Sequence, residues 1–268
     1  MGLRRLLRQA KVRLDARTFR QYGLARFDAE AVRDSDVVIA AWPKSGNTWM
    51  QCLVAGLQYG VDSSNAPDRL IQTLVPDLHQ NRTGVVMSDT MAFKSHHTPQ
   101  PQFRRVIHLV RDGRDALVSY WHFRKALGYT GGISDLMGET DKVYSNWWEH
   151  TKSWRTNPHG AEILTMRYED LLSDPQPQLR RVAKFLDINC DDERLAQVIS
   201  TSSFSRMQKR EKKQGWDNKV WPKDAMFVRR GVSGAFLDEM SPEDIAAFET
   251  RCGDVLQDMG YELSSQDR

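Results

Sequence analysis

Cysteine is scarce in this sequence: Cys52, Cys190 and Cys252 are the three among 268 residues, widely spaced and without a CxxC pair. That pattern excludes a disulfide scaffold and a cysteine-held zinc site, no metal is expected, and a reducing compartment suits it. Long apolar runs are also missing. No stretch of about eighteen apolar residues occurs, so no membrane-spanning helix is expected. A secretory leader is not expected either, because Arg4, Arg5, Arg8, Lys11 and Arg13 break up the opening residues. Neither sign of charge dominates: the formal net charge is +3, too little to imply nucleic acid. A few focused cations would still serve a small anionic ligand, where the local field matters more than the total. With 40% hydrophobic and 27% charged residues, disorder is excluded and a cytoplasmic globular protein is expected.

Residues 1–33 open the chain as a basic amphipathic segment, and residues 34–268 read as one domain. Within residues 1–20, Leu3, Leu6, Leu7, Ala10 and Leu14 recur at helical spacing, with Arg and Lys on the other face. Such a helix either docks on the domain or lies peripherally on an anionic membrane surface, and both readings stand.

Residues 37–42 form a continuous apolar run rich in β-branched side chains, as a strand buried on both faces of a parallel sheet requires. A tight loop at 43–48 and a helix over 49–58 follow. The order then repeats: a strand at 106–110, a polar turn at 111–115 and a helix over 116–125. It repeats again with a strand at 162–166, the residues Arg167-Tyr168-Glu169-Asp170, and a helix over 177–186. This alternation predicts an α/β fold, a single domain with a central, mainly parallel sheet flanked by helices. Segments 126–143 and 205–230 are rich in Lys, Gly, Asp and Ser, and read as loops or lids.

The chemistry concentrates in Pro43-Lys44-Ser45-Gly46-Asn47-Thr48-Trp49, between the first strand and its helix. A helix N-terminus offers unpaired N–H groups and a partial positive charge, which suit an anion. Gly46 lets the backbone approach that anion, Ser45 and Thr48 add hydroxyls, and Lys44 adds a full charge. Lys44 is expected at the loop surface, packed against nothing. The pattern is P-loop-like without being the Walker A motif, because the only glycine follows the lysine.

That heptad resembles the 5′-phosphosulfate loop of the cytosolic-type sulfotransferases, which use 3′-phosphoadenosine-5′-phosphosulfate (PAPS) and release 3′-phosphoadenosine-5′-phosphate (PAP). The family usually has PKSGTTW, so Asn47 is the departure, and its amide is expected to donate to phosphate. Val110-Arg111-Asp112-Gly113-Arg114-Asp115-Ala116-Leu117-Val118-Ser119 is similar to a second family block, and the resemblance implies that Arg111 and Ser119 grip the 3′-phosphate. Arg229-Arg230-Gly231 is similar to the family's RKG, which closes over the same phosphate, although the residues after it depart from GxxGDWK. By the same resemblance Tyr168 lies near adenine, Trp49 and Phe204 sandwich it, and Ser202 contacts the ring. Phe93-Lys94-Ser95-His96 resembles Lys-Thr-His, which implies His96 as general base and Lys94 on the sulfuryl group; His97 is the alternative base. The chain is identified as a bacterial-like member of the family.

The implied reaction is in-line displacement at sulfur by an acceptor hydroxyl or amine, with Lys44 and Lys94 neutralising charge and no metal. The acceptor is expected to be a small molecule or a lipid-like compound against an apolar wall that includes Tyr120, Trp121, Phe123 and Trp147. The family's dimer motif has no match at 245–262, which leaves the oligomeric state open. Two other readings compete: a P-loop kinase, and an inactive nucleotide-binding or membrane-associated module.

Overall fold

The computed structural model describes residues 24–80, 82–216 and 221–264. Strand β2 (Val37–Ala40) lies at the middle of the sheet, and its four apolar side chains are completely buried. Val37 and Ile39 enter one core, while Val38 and Ala40 enter another with Phe93, Phe103 and Trp154. This is the two-residue alternation of a strand covered on both faces. β2 pairs in parallel with β4 (Ala92–Ser95) and β5 (Arg105–Val110), and β5 pairs in parallel with β6 (Glu162–Arg167). The order is therefore β4-β2-β5-β6, the central parallel sheet the sequence predicts. A two-stranded antiparallel ribbon joins β1 (Leu24–Phe27) to β3 (Arg82–Val85).

Helices flank this sheet. α1 (Asn47–Tyr59) buries Met50, Leu53 and Leu57 with Leu179 and Val182 of α7 (Pro175–Phe185) and Leu195 of α8 (Asp192–Thr201). α3 (Gly113–Ala126) packs Leu117 and Tyr120 into a core with Trp147 of α5 (Trp147–Thr156) and with Phe248 and Leu256 of α11 (Pro242–Asp258). The shorter helices are α2 (Asp68–Leu74), α4 (Ile133–Met137), α6 (Tyr168–Ser173), α9 (Phe204–Gln214) and α10 (Phe236–Glu239).

The structure departs from the sequence reading in three places, each for a local reason. β2 ends at Ala40, two residues before 42, because the Ala41 carbonyl leaves the ladder to accept from His96 Nδ1 at 2.7 Å. α1 and α3 begin earlier than 49 and 116, since Gly46 turns the chain into α1 and the Asp112 carboxylate caps α3 through Arg114 N–H. The segments taken as loops contain α4 and α9. α9 escapes the apolar pattern because charge fixes it: buried Arg210 ion-pairs with Asp68, and buried Glu211 accepts from the N–H groups of Phe227 and Val228. The basic residues 1–20, and the choice between a docked helix and a membrane-surface helix, lie outside the described residues. Among the described residues no helix is long and apolar enough to cross a membrane.

Candidate active site

All four strands of the sheet run the same way, so the residues that follow β2, β4, β5 and β6 emerge at one end. They are the 41–46 loop, His96, Arg111 and Tyr168. Open parallel sheets bind ligands at this end. A cavity of about 740 Å³ lies there, lined from each of these connections and from α9 and the 227–232 segment.

The 43–48 loop is shaped by two left-handed residues, Lys44 at φ 67° and Gly46 at φ 99°. Such reversals curl successive N–H groups into an anion-binding concavity, continuous with the N-terminus of α1. Gly46 is obligatory twice over, since a Cβ there would also meet the Tyr168 ring at 2.6 Å. Lys44, Gly46, Asn47, Thr48 and Trp49 line the cavity, whereas Ser45 is buried behind it. The Asn47 amide does not point to solvent for a phosphate alone: Nδ2 donates to the Ser95 carbonyl at 2.7 Å, tying the start of α1 to the end of β4.

Lys44 is not the unpacked surface lysine expected of the loop. Its Nζ lies 3.5 Å from the centroid of Phe227 and 5.1 Å from that of Phe123, a contact between segments that local sequence does not encode. No carboxylate ion-pairs with it among the described residues. Burial, reinforced by the positive charges of Lys94 and Arg111, pushes its pKa down to about 7. Arg111 is 8% exposed; it donates to the carbonyls of Lys44 at 3.3 Å and Val232 at 3.0 Å, and stands 3.8 Å from Asp115. Lys94, by contrast, has a full partner in Asp77 at 3.0 Å. A cavity that gathers Lys44, Lys94 and Arg111 and leaves Lys44 without a carboxylate ion pair among the described residues suits an anion.

His96 and His97 separate clearly. His96 lines the cavity and donates through Nδ1 to the Ala41 carbonyl, which can only accept. That bond fixes the neutral tautomer and leaves Nε2 with its lone pair. Burial, together with neighbouring Lys94 and against the pull of Asp77, holds the His96 pKa well below the usual histidine range, so the ring is a neutral base at ordinary pH. His97 does not line the cavity. Its Nδ1 meets Ser95 Oγ at 2.9 Å and its ring stacks on His79, 4.4 Å between centroids.

The residues expected to hold a nucleoside form the far end. Tyr168, Trp49 and Phe204 all line the cavity; Trp49 meets Tyr168 edge-on at 5.6 Å and donates to the Ser202 carbonyl at 2.9 Å. Ser202 itself is fully buried and does not line the cavity. Ser119, Arg229, Arg230 and Gly231 do. Gly231, at φ 62°, presses on the Phe204 ring, where a Cβ would come within 2.2 Å. Arg229 and Arg230 each donate to Glu239 at 2.8 Å, a partner the sequence reading missed. Asp115 was also missed: its two oxygens accept from Gly234 N at 2.8 Å and Phe236 N at 2.9 Å, fastening this segment to α3. Four buried polar atoms here, Ser45 Oγ, Asn47 Oδ1, Arg111 Nε and Ser202 Oγ, have no hydrogen-bond partner among the described residues. Native proteins leave few such atoms, and of these four residues Asn47 and Arg111 line the cavity, where a polar ligand can approach.

Beyond His96 the wall is aromatic: Tyr120, Phe123, Tyr144, Trp216 and Phe227 line it. Tyr144 shares a 3.0 Å hydrogen bond with Tyr120, and burial and that bond raise the Tyr144 pKa, so its phenol stays protonated. Trp121 and Trp147, expected in this wall, are elsewhere. Trp147 is a core residue whose indole N–H donates to the Arg111 carbonyl at 3.1 Å, and Trp121 donates to the Gly131 carbonyl at 3.0 Å.

A sulfotransferase-domain family model matches residues 34–260. Sulfotransferase 1B1 of Mus musculus is 27% identical over 201 residues, 65% of this chain and 65% of that protein. Two solved structures share the fold. A mouse sulfotransferase SULT7A1 complexed with PAP has a TM-score of 0.63 at 21% identity, covering 86% of each chain. A retinol dehydratase in a complex with retinol and PAP has a TM-score of 0.66 at 19% identity, covering 87% of this chain and 84% of that one.

Proposed function

We propose, from the premise that this chain belongs to the sulfotransferase family, that it transfers the sulfuryl group of PAPS to a hydroxyl or amine on a small, largely apolar acceptor. One observation carries the reading: Lys44, Lys94 and Arg111 converge on the same cavity as His96, a histidine whose tautomer presents a free basic Nε2. Arg111 Nε, a partnerless donor on a residue that lines the cavity, fits a phosphate oxygen of a nucleotide. The donor supplies an electrophilic sulfuryl group and leaves as PAP.

The residues divide the work. The curled 44–47 backbone and Lys44 hold the 5′-phosphate end, and Arg111, Ser119, Arg229, Arg230 and Gly231 hold the 3′-phosphate. Trp49, Tyr168 and Phe204 enclose the adenine. His96 Nε2 takes the acceptor proton, while Lys44 and Lys94 stabilise charge that develops on the oxygens between sulfur and phosphorus. The aromatic wall positions an apolar acceptor beside His96 and keeps water from competing. The kinase reading loses support at the start of α1, where Asn47 stands without a following Lys-Ser or Lys-Thr to serve a metal-bound nucleotide.

The test is transfer of label from [35S]PAPS to a panel of phenols, sterol alcohols and arylamines, with PAP measured in parallel. Labelled product with equimolar PAP is expected. PAP binding without any transfer, even to acceptors in a cell extract, would instead support the inactive nucleotide-binding module.

A further inference from the structure

Between α2 and β4 the chain makes a tight turn, 75–80, that neither the family resemblance nor the phosphate loop accounts for. Its centre is Asp77, 7% exposed and the only carboxylate among the described residues lining the cavity. Both carboxylate oxygens are engaged, and with different objects. Oδ2 takes the Lys94 ammonium at 3.0 Å. Oδ1 accepts from His79 N–H at 3.0 Å, which closes the turn over Leu78–Gln80. The turn delivers His79 to the base: His79 Nε2 accepts from the His96 backbone N–H at 2.8 Å, and the His79 ring lies 5.3 Å from that of His96. The backbone is pinned too, with Lys94 N–H donating to the Pro76 carbonyl at 2.8 Å beside a parallel bridge from Asp77 to Lys94.

We propose that Asp77 is a positioning residue that sets Lys94 and His96 relative to each other, Oδ2 acting on Lys94 directly and Oδ1 on His96 through the His79 turn. Without it Lys94 is a buried cation free to swing, next to a histidine that must stay basic. The titratable and charged groups facing this spot are Lys94 and the neutral His96 on and after β4, the neutral His79 on the turn, and Lys44 and Arg111 across the cavity. Asp77 is the carboxylate that acts on both Lys94 and His96, while Asp141 acts on His79 and Glu211 on Lys44. Burial acts to raise its pKa, but Lys94, with His96 and His79, outweighs burial and keeps the carboxyl well below the usual range, so the carboxylate is present throughout the working pH span.

This inference rests on the sulfuryl-transfer reading. Asp77→Asn keeps the shape and an oxygen for His79 N–H, and removes the charge on Lys94. The expected result is kcat lower by about 10²-fold, the loss typical of a misplaced catalytic group. PAP affinity by calorimetry should stay within about twofold, because no nucleotide contact is lost. In the ligand-free protein, competitive acetylation read by mass spectrometry should label Lys94 faster in the variant than in the native chain. The decisive comparison is a double-mutant cycle: in a Lys94→Ala background, Asp77→Asn should cost less than about threefold in kcat, since its target is already gone. An equal cost in both backgrounds, or unchanged kcat and unchanged Lys94 labelling, overturns the proposal. If Asp77→Asn does not fold, Asp77→Glu substitutes: it keeps the charge, lengthens the reach by one methylene, and should lower kcat with PAP affinity intact. Unchanged kcat there overturns the proposal as well. A native enzyme that transfers no label overturns the sulfuryl-transfer reading and this inference with it, whereas an active native enzyme with an indifferent Asp77 overturns this inference alone.

Discussion

Binding of PAP should take up a proton above neutral pH, and Lys44 should be the group that takes it. In the free protein its pKa is pushed down to about 7 by burial and by the charges of Lys94 and Arg111, with only aromatic rings against its ammonium. An anion seated in the 44–47 loop reverses that balance and favours the charged form. The sign then follows from linkage. Well below pH 7 the lysine is already protonated, and binding takes up almost nothing. At pH 8 it is about nine-tenths deprotonated when free, so binding takes up about 0.9 of a proton, and affinity falls almost tenfold between pH 8 and pH 9. The phosphate monoesters of PAP titrate near pH 6, so their charge is constant across this window. Calorimetry in buffers of different ionisation enthalpy measures the uptake directly. Lys44→Met should abolish the uptake and flatten the affinity against pH. Equal proton uptake in native and Lys44→Met protein, or none in either, would refute the argument.

His96→Ala should lower transfer by about 10²–10⁴-fold, the usual contribution of a general base, with PAP affinity nearly intact, while His97→Ala stays close to native; steady-state kinetics with [35S]PAPS reads both. Arg229→Ala should weaken PAP by about 1.5–3 kcal/mol while hardly changing binding of adenosine 5′-monophosphate, which lacks the 3′-phosphate. Arg111→Ala should show the same discrimination plus a lower melting temperature, since Arg111 also joins the Lys44 and Val232 carbonyls. Equal losses for both ligands would remove these arginines from the 3′ site. Gly231→Ala should weaken PAP about tenfold or more through left-handed strain of roughly 1–2 kcal/mol and displacement of the Phe204 ring, and titration by tryptophan fluorescence checks it.

What the sequence made legible was what neighbouring residues decide among themselves. The Val-Val-Ile-Ala run demands burial on both faces, a glycine before a helix permits a left-handed turn, and residues just past parallel strands must share one end of the sheet. Lys44 and Arg111 follow from those rules, whereas His96 and Tyr168 were singled out by the family resemblance alone, His96 because no strand was expected at 92–95. What stayed hidden depends on pairs distant in the chain. Asp77 meets Lys94 only because the 75–80 turn lies along β4, and Asp115 holds Gly234 and Phe236 across more than a hundred residues. α9 was missed because its anchor is a buried ion pair with Asp68 rather than an apolar stripe. Trp147 was misplaced for a related reason: an aromatic residue announces burial, not which cavity or core receives it.

The way the cations are partnered separates anchoring from selectivity. Arg229 and Arg230 must loosen from Glu239, and Lys94 stands against Asp77, before either can give a ligand its full charge. Exchanging one ion pair for another yields little net affinity, but it rejects ligands whose oxygens do not match the vacated geometry. Lys44 has no such partner to give up. Among the described residues, aromatic rings, Phe227 and Phe123, oppose its ammonium and no carboxylate ion-pairs with it, so a phosphate arriving at the loop gains nearly the whole interaction in a partly desolvated place. Affinity should therefore concentrate at the 5′ end of the nucleotide, where the backbone curl and Lys44 act together. Discrimination should concentrate at the 3′ end and around Lys94, where existing pairs must be exchanged.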